Sequence, residues 1–404
     1  MALGGSTDLS GRPHVILVDT TWRSVDYLAY QLAKRGLGVH AFTPALRRPR
    51  YLRLGYPYQS FIEQPLTPGT SDAFRAMVDA IGPLCIIPCT EQALYWLWDQ
   101  PQDIQRLCLP DVSPDIQPLL LDRALLLQEA ATWGVPVPEA MPLENRAECD
   151  AAIAAGLPLV VKSGQSVGSY GVALCRTAEK VVEAFERFTP WGLSVTAQRF
   201  YTGPTFIAGG LFVQGEAIHF YAGEKTIMWP ELTGYAYELC STGEPHLSRL
   251  LAHAESICKQ LGWTGLASFD FVLDEDGEFR FVDFNPRYWG AAEATLNARV
   301  DLYDGLARWI RDGSAGSPSR PLSGVPHRIF PRYTFEPSGM SPWRRLAGMR
   351  DAPWDAKAFV MGEVAIEAVE RSTRLAKSVA RVRRAPRGQA DQLRARPSLP
   401  DKVS

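Results

Sequence analysis

The chain has 404 residues, 46% hydrophobic and 21% charged, with a formal net charge of −2. That length exceeds one simple core and implies two or three domains, while the near-neutral charge excludes a general pull toward nucleic acid or membrane. No apolar run reaches the ~18 residues that a membrane-spanning helix needs, and the first residues, MALGGSTDLSGRPH, lack the apolar core of a secretory leader and read as a disordered start. Seven scattered cysteines without a C-x-x-C pair predict buried, reduced thiols in a cytoplasmic protein and argue against zinc.

Along the chain, His14–Asp19 is a short apolar run fit for a buried parallel strand. Ser24 then precedes Val25, Leu28, Ala29, Leu32 and Ala33 at helical spacing, and Gly36 closes that helix. Leu37–Phe42 reads as the next strand, which completes a β-α-β unit and opens a parallel sheet. Pro83–Pro88 followed by Glu91–Trp98 repeats the pattern. The first turn, residues 19–24, has no G-x-G-x-x-G, which argues against a nicotinamide or flavin site. Leu119–Trp133 predicts a helix ended by Gly134. Leu157–Lys162 and Val172–Cys175 predict strands on either side of a Gly/Ser segment, and Ala178–Phe188 predicts a helix. Further strands are predicted around Val195–Tyr201, Thr205–Val213 and Ala217–Ala222, then a helix over His246–Leu261. Gly265–Leu273 and Glu278–Phe284 read as two strands joined by the acidic turn Asp274–Gly277. Asp301–Ile310 predicts a helix.

After residue 312, Gly, Ser and Pro dominate as far as Pro326, which reads as a linker or surface excursion. A last helix is expected from Glu363 to about Arg384. Between Arg371 and Arg396 nine Lys/Arg face one acid, Asp391. This reads as a solvated basic helix and tail, or as a contact for an acidic partner or membrane surface.

The chemistry concentrates in Phe281–Gly290. Asp283, Asn285 and Arg287 alternate at a strand end, so they share one face. A carboxylate and an amide oxygen suit a hard cation, and an adjacent arginine suits a phosphate. Asp270 lies on the partner strand, where it can face Asp283. Two unpaired acids in one site repel unless a cation lies between them. Upstream, Lys162 ends a buried strand and opens Ser163–Gly171, whose backbone N–H groups can wrap phosphate oxygens. It is not a Walker A loop, because the lysine precedes the glycines. The strand Ala197–Gly203 can offer its edge to an adenine.

In this order the motifs resemble the ATP-grasp superfamily of carboxylate–amine or carboxylate–thiol ligases, over roughly residues 14–312. Leu121-Asp122-Arg123, Gly134–Pro138, Lys162 with its Gly-rich loop, the hinge Gln198–Gly203 and the closing Asn285-Pro286-Arg287 carry the resemblance. It implies an α/β fold: an N-terminal Rossmann-like domain over residues 1–110, two α+β ATP-grasp subdomains over 111–190 and 191–312, and a linker with a basic helical extension over 313–404. It implies ATP contacts from Arg123, Lys162, Ser163, Gly164, Ser166, Gly168, Ser169, Gly171, Gln198, Arg199, Phe200 and Tyr201. Asp270, Asp283 and Asn285 would hold Mg²⁺ (or Mn²⁺), and Arg287 would stabilise the acyl phosphate. Such ligases are often dimers. Arg123 stands where the family usually has lysine, Arg199 and Thr205 where acids are common, and Asp283 is one methylene shorter than the usual glutamate.

The implied reaction phosphorylates a small-molecule carboxylate and then joins it to an amine or other nucleophile, giving ADP and phosphate. Tyr221, Glu224, Lys225, Trp229, Tyr235 and Tyr237 read either as the acceptor pocket or as packing, with Glu224–Lys225 as a surface ion pair. A carboxylase-type or kinase-like activity and a non-catalytic nucleotide-binding module are the alternatives.

Overall fold

The computed structural model describes residues 11–45, 57–164, 171–192, 194–229, 234–335, 340–352, 355, 360–361 and 364–365. The chain divides into two units, Met1–Arg47 with Tyr56–Pro353, and Arg48–Gly55 with Trp354–Ser404. Every element below belongs to the first. The predicted helix over 363–384 and the basic tail lie outside the described residues, apart from Val364 and Ala365.

Three sheets follow one another along the chain. The first holds β1 (His14–Val18), β2 (Gly38–Thr43), β3 (Ser60–Glu63) and β4 (Cys85–Pro88), all parallel in the order β3-β2-β1-β4. β1, β2 and β4 are buried almost throughout, which explains their unbroken apolar runs. Phe42, Phe74 and Trp96 pack at centroid distances of 5.0–5.5 Å in the core, with Phe42 stacked on Trp96 and Phe74 at an angle to both. Phe74 comes from a helix, Ser71–Ile81, that was not expected from the sequence; Gly82 ends it at φ 59°.

Strand order reverses between β1 and β4, and a crevice opens at the carboxyl ends of strands at such a point. Asp19, directly after β1, adopts φ 63°, which is uncommon for a residue with a side chain. The Thr21 and Thr90 hydroxyls donate to its carboxylate at 2.6 and 2.7 Å and hold this turn. Trp22 follows the same turn. Glu91 follows β4 and begins the helix Glu91–Trp98, whose cap is Thr90.

The second sheet holds β5 (Ala140–Pro142), β6 (Leu159–Ser163), β7 (Val172–Cys175) and β8 (Val195–Arg199), antiparallel in the order β5-β8-β6-β7. Helices Arg146–Ala155 and Ala178–Phe188 supply Cys149, Ala152, Val181 and Phe188 to its core.

The third sheet holds β9 (Thr205–Val213), β10 (Glu216–Trp229), β11 (Tyr235–Ser241), β12 (Gly265–Leu273), β13 (Phe279–Asn285) and β14 (Pro326–Arg328). It is antiparallel in the order β13-β12-β9-β10-β11-β14. One face packs Phe206, Phe212, Phe269, Phe271, Phe281 and Phe284 with residues of the helices His246–Gln260 and Arg123–Thr132. Full burial of each ring is worth about 2–3 kcal/mol.

Two expectations need correction. The predicted helix Leu119–Trp133 is two helices, Gln117–Leu121 and Arg123–Thr132. Asp122 is extended and caps the second, its carboxylate accepting from the Ala124 N–H at 2.9 Å. The Gly/Ser/Pro stretch after residue 312 stays on the third sheet. Ser319 donates to the Ile218 carbonyl at 2.9 Å, His219 Nε2 lies 2.8 Å from the Ala315 carbonyl, and β14 then pairs with β11. Among the described residues no helix is long and apolar enough to cross a membrane. The seven cysteines carry free thiols.

Candidate active site

A β-bulge sets the phase of the Asp-Phe-Asn motif. Simple alternation would place Phe279, Phe281 and Asp283 on one face. Instead Asp283 pairs with Asp270 while Phe281 pairs with Phe271, so Val282 is an extra residue in β13. Phe281 and Phe284 therefore both enter the core, and Asp283 and Asn285 both line a cleft on the other side. Lys162 Nζ donates to the Val282 carbonyl at 3.1 Å and ties β6 to the bulge.

The sequence predicts Asp270 and Asp283 facing each other, unpaired. Register does place them opposite, but each has its own cation. Lys225 Nζ lies 2.7 Å from Asp270 Oδ1, and Arg123 Nε lies 2.9 Å from Asp283 Oδ1. Lys225, read either as part of an acceptor pocket or as a surface partner of Glu224, turns into the cleft. Two partly desolvated carboxylates this close are costly without such neutralisation. Desolvation still pushes the Asp283 carboxyl above the usual range; Arg123 opposes this and Asp270 adds to it. Burial likewise lowers the Lys162 ammonium, against the pull of Asp283.

Arg123 also reaches the N-terminal sheet. Its Nη2 lies 3.1 and 3.2 Å from the two Glu91 oxygens. Glu91 Oε1 in turn lies 3.4 Å from Arg287 Nη2, which donates to Asn285 Oδ1 at 3.1 Å. The Arg287 guanidinium stands over the Trp22 ring at 4.4 Å. Neither Glu91 nor Trp22 emerged from the sequence reading. Their signal is positional: both follow the strands that flank the switch point.

The expected hinge lies at the end of β8. Gln198 is buried, and Phe200 and Tyr201 line the cleft beside Pro138, Val160 and Val172. Arg199 points its charge outward, to Glu275 and Glu139, and with Arg280 flanks the Tyr201 ring at 5.1 and 5.4 Å. Ser163, Gly164 and Gly171 flank the cleft without lining it. The Ser163 N–H donates to the Gly171 carbonyl at 2.9 Å, and the Arg123 N–H donates to that of Gly164 at 2.9 Å. Gly164 has a packing reason as well, since a Cβ there would lie 2.3 Å from Ser194 Oγ. Ser166, Gly168 and Ser169 lie outside the described residues. Of the aromatic candidates, Tyr235 lines the cleft, Tyr221 and Tyr237 are buried, and Trp229 is exposed.

Among the described residues, the buried Ser268 Oγ, Arg287 Nε and Trp289 Nε1 of the cleft have no hydrogen-bond partner. Ser268 stands opposite Asn285 on one side and Gly209 on the other. A Cβ on Gly209 would lie 3.0 Å from the Trp289 ring, so Gly209 gives that indole its room. Buried donors left open in a cleft fit ligand oxygens. Among the described residues no group of three or more His, Cys, Asp or Glu is placed to hold a metal. Two opposed carboxylates and an amide oxygen nevertheless suit a hard divalent cation that takes its remaining ligands from phosphate and water.

No family model matches the chain. Over 177 residues it is 28% identical to the D-alanine–D-alanine ligase of Pseudomonas fluorescens (strain Pf0-1), a match spanning 41% of this chain and 53% of that protein. The chain thus spans about half the length of that curated relative. Its fold is similar to the biotin carboxylase domain of the Hydrogenobacter thermophilus 2-oxoglutarate carboxylase, solved with MgADP, ADP and bicarbonate, at a TM-score of 0.60 and 14% identity, covering 75% of this chain and 70% of that one. It is also similar to the L-amino acid ligase of Bacillus licheniformis, at a TM-score of 0.56 and 14% identity, covering 78% of this chain and 76% of that one. The chain is thus similar in sequence to a D-alanine–D-alanine ligase and shares its fold with a biotin carboxylase domain and an L-amino acid ligase, in line with the ATP-grasp resemblance of its motifs.

Proposed function

We propose that the protein is an ADP-forming ligase that activates a small-molecule carboxylate with ATP and passes the acyl group to an amine. The observation that carries this reading is the cleft floor. Opposed Asp270 and Asp283 with Asn285 adjoin Lys162, Arg123 and the open donors of Arg287, Trp289 and Ser268. Phe200, Tyr201 and the apolar wall around them hold the adenine. Lys162 and Arg123 face the phosphates. Asp270, Asp283 and Asn285 would hold Mg²⁺ or Mn²⁺, which would neutralise phosphate charge.

The acid docks at the end of the cleft where the open donors cluster. A carboxylate oxygen attacks the γ-phosphorus and ADP leaves. The amine nitrogen then attacks the acyl carbon, the C–O bond to phosphate breaks, and the proton lost by the amine leaves on the departing phosphate. Oxide is a poor leaving group from a free carboxylate, and phosphate is a good one. Arg287 and Trp289 donate to oxygens whose charge grows as each bond changes. The D-alanine–D-alanine ligase match and the fold shared with the L-amino acid ligase support an amine as acceptor.

The test is release of ADP and phosphate with ATP, Mg²⁺ and a panel of carboxylic acids, each with and without amines. Release that needs both an acid and an amine supports the reading. Tight ATP binding with no turnover across the panel, or turnover with bicarbonate alone, replaces it with a binding module or a carboxylase-type enzyme.

A further inference from the structure

Five side chains form a closed circuit. It runs from Asp283 to Arg123 (2.9 Å), to Glu91 (3.1 and 3.2 Å), to Arg287 (3.4 Å) and to Asn285 (3.1 Å). Asp283 and Asn285 are two residues apart on β13, so the circuit starts and ends on the same strand. Those end residues are the groups assigned above to the metal. In this structure both hold a guanidinium, and Glu91 is the carboxylate that the two arginines share. It comes from the helix that follows β4 of the first sheet, is 5% exposed, and is fixed in the first turn of that helix, capped by Thr90. Arg287 is 5% exposed and braced on Trp22, so it cannot shed its charge into solvent.

A cation that takes Asp283 Oδ1 and Asn285 Oδ1 competes with both guanidinium groups for the same oxygens. A buried guanidinium without an anion is costly, and Glu91 is already in contact with both. We infer that Glu91 is a positioning residue. It receives Arg123 and Arg287 when the metal arrives, and so allows Asp283 and Asn285 to exchange guanidinium for metal while both arginines stay beside the phosphates. The inference rests on the metal assignment in the proposed function and adds a residue from the N-terminal sheet to it.

Mn²⁺ binding in the presence of ADP, followed by the paramagnetic resonance signal of free Mn²⁺, tests this without turnover. With Glu91→Gln the two arginines lose the carboxylate they share and compete harder for Asp283 and Asn285, and the Mn²⁺ dissociation constant is expected to rise about ten-fold, or ~1.4 kcal/mol. Loss of a nearby negative charge would also weaken a cation, so the background matters. In Arg123→Gln the circuit is already open, and Glu91→Gln should then cost less than about three-fold, because residues acting through a shared partner are non-additive. Unchanged affinity in folded Glu91→Gln overturns the inference, and so does an equal loss in the Arg123→Gln background. If Glu91→Gln does not fold, Glu91→Asp keeps the charge and shortens the reach; it is compared in the same two backgrounds with the same readings. Wild-type protein that binds no Mn²⁺ with ADP would sink the metal assignment itself, whereas wild-type binding with an indifferent Glu91 sinks only the positioning role.

Discussion

Lys225 and Asp270 lie 2.7 Å apart on the third sheet, with the lysine side chain 9% exposed. The ammonium neutralises one of two opposed carboxylates, as Arg123 neutralises the other. Two of the protein's own cations thus neutralise the acid pair. Replacing Lys225 with Met leaves Asp270 facing Asp283 with one counter-ion fewer. In metal-free buffer this should lower stability by roughly 2 kcal/mol, less than a fully buried broken pair costs. Mg²⁺ with ADP should restore most of the loss. Thermal unfolding with and without both ligands checks this; equal midpoints for variant and wild type in metal-free buffer would contradict it.

Asp283→Ala should remove Mg²⁺-dependent ATP turnover by about a hundred-fold or more, the scale of losing one preorganised electrostatic group. Circular dichroism should show the fold intact, since the core contacts of β13 come from Phe281 and Phe284. Turnover at the wild-type rate would remove Asp283 from the site.

Metal affinity should depend on pH through the same group. Desolvation raises the Asp283 carboxyl, so it takes up a proton at a higher pH than an ordinary carboxylate. The metal binds the deprotonated form. Apparent Mg²⁺ affinity should therefore be full well above this raised value, fall as pH drops through it, and begin to fall before the usual carboxylate range is reached. In stability the sign is reversed from a salt-bridged acid. A folded-state value above the unfolded one favours protonation in the fold, so this group's destabilising effect is present at neutral pH and is relieved on acidification. Calorimetric Mg²⁺ titrations across pH give the test; affinity flat down to the ordinary carboxylate range would contradict it.

Lys162→Ala should weaken ATP binding about ten-fold, since it removes one charge-assisted contact to phosphate. It also unties the Val282 carbonyl, so a small loss of stability should accompany it. Fluorescence titration with an ATP analogue measures the first effect, and unchanged affinity would count against the phosphate role.

Gly203→Ala connects the fold to the site. A Cβ there would lie 1.7 Å from the Leu273 carbonyl oxygen at the end of β12. The backbone must move, at a cost of about 1–3 kcal/mol for such overpacking, and Phe200 and Tyr201 move with it. Both stability and ATP affinity should fall. Wild-type affinity would show that the hinge aromatics do not hold the base.

Much of the scaffold was legible because its signals are local. Val172–Cys175, Ala178–Phe188, Thr205–Val213 and Gly265–Leu273 occur as predicted, since apolar period and flanking breakers agreed there. The break at Asp122 was less visible, because Leu119–Leu127 is apolar apart from Asp122 and Arg123 and only the capping carboxylate stops it. β11 and β14 were missed because their pairing is decided by distant strands. The cleft shows the same division. Asp283 and Asn285 share a face as expected, but the bulge at Val282 is what puts them there; the phenylalanine spacing 279, 281, 284 records that phase change. Asp270 and Asp283 were legible as a pair, and their cations were not. Lys225 sits two strands away from Asp270 and Arg123 on a separate helix, so only the tertiary fold brings them in. Glu91 and Trp22 carried only a positional signal, that of following the strands at the switch point.

The account stands or falls on whether this cleft turns a carboxylate into an acyl phosphate. Hydroxylamine intercepts acyl phosphates as hydroxamates and replaces the unknown amine. The protein, incubated with ATP, Mg²⁺, hydroxylamine and a panel of carboxylic acids, should yield hydroxamate from at least one acid, with ADP and phosphate formed in equal amounts and nothing formed by Asp283→Ala. ADP formation with no hydroxamate from any acid, or AMP and pyrophosphate in place of ADP and phosphate, would contradict it.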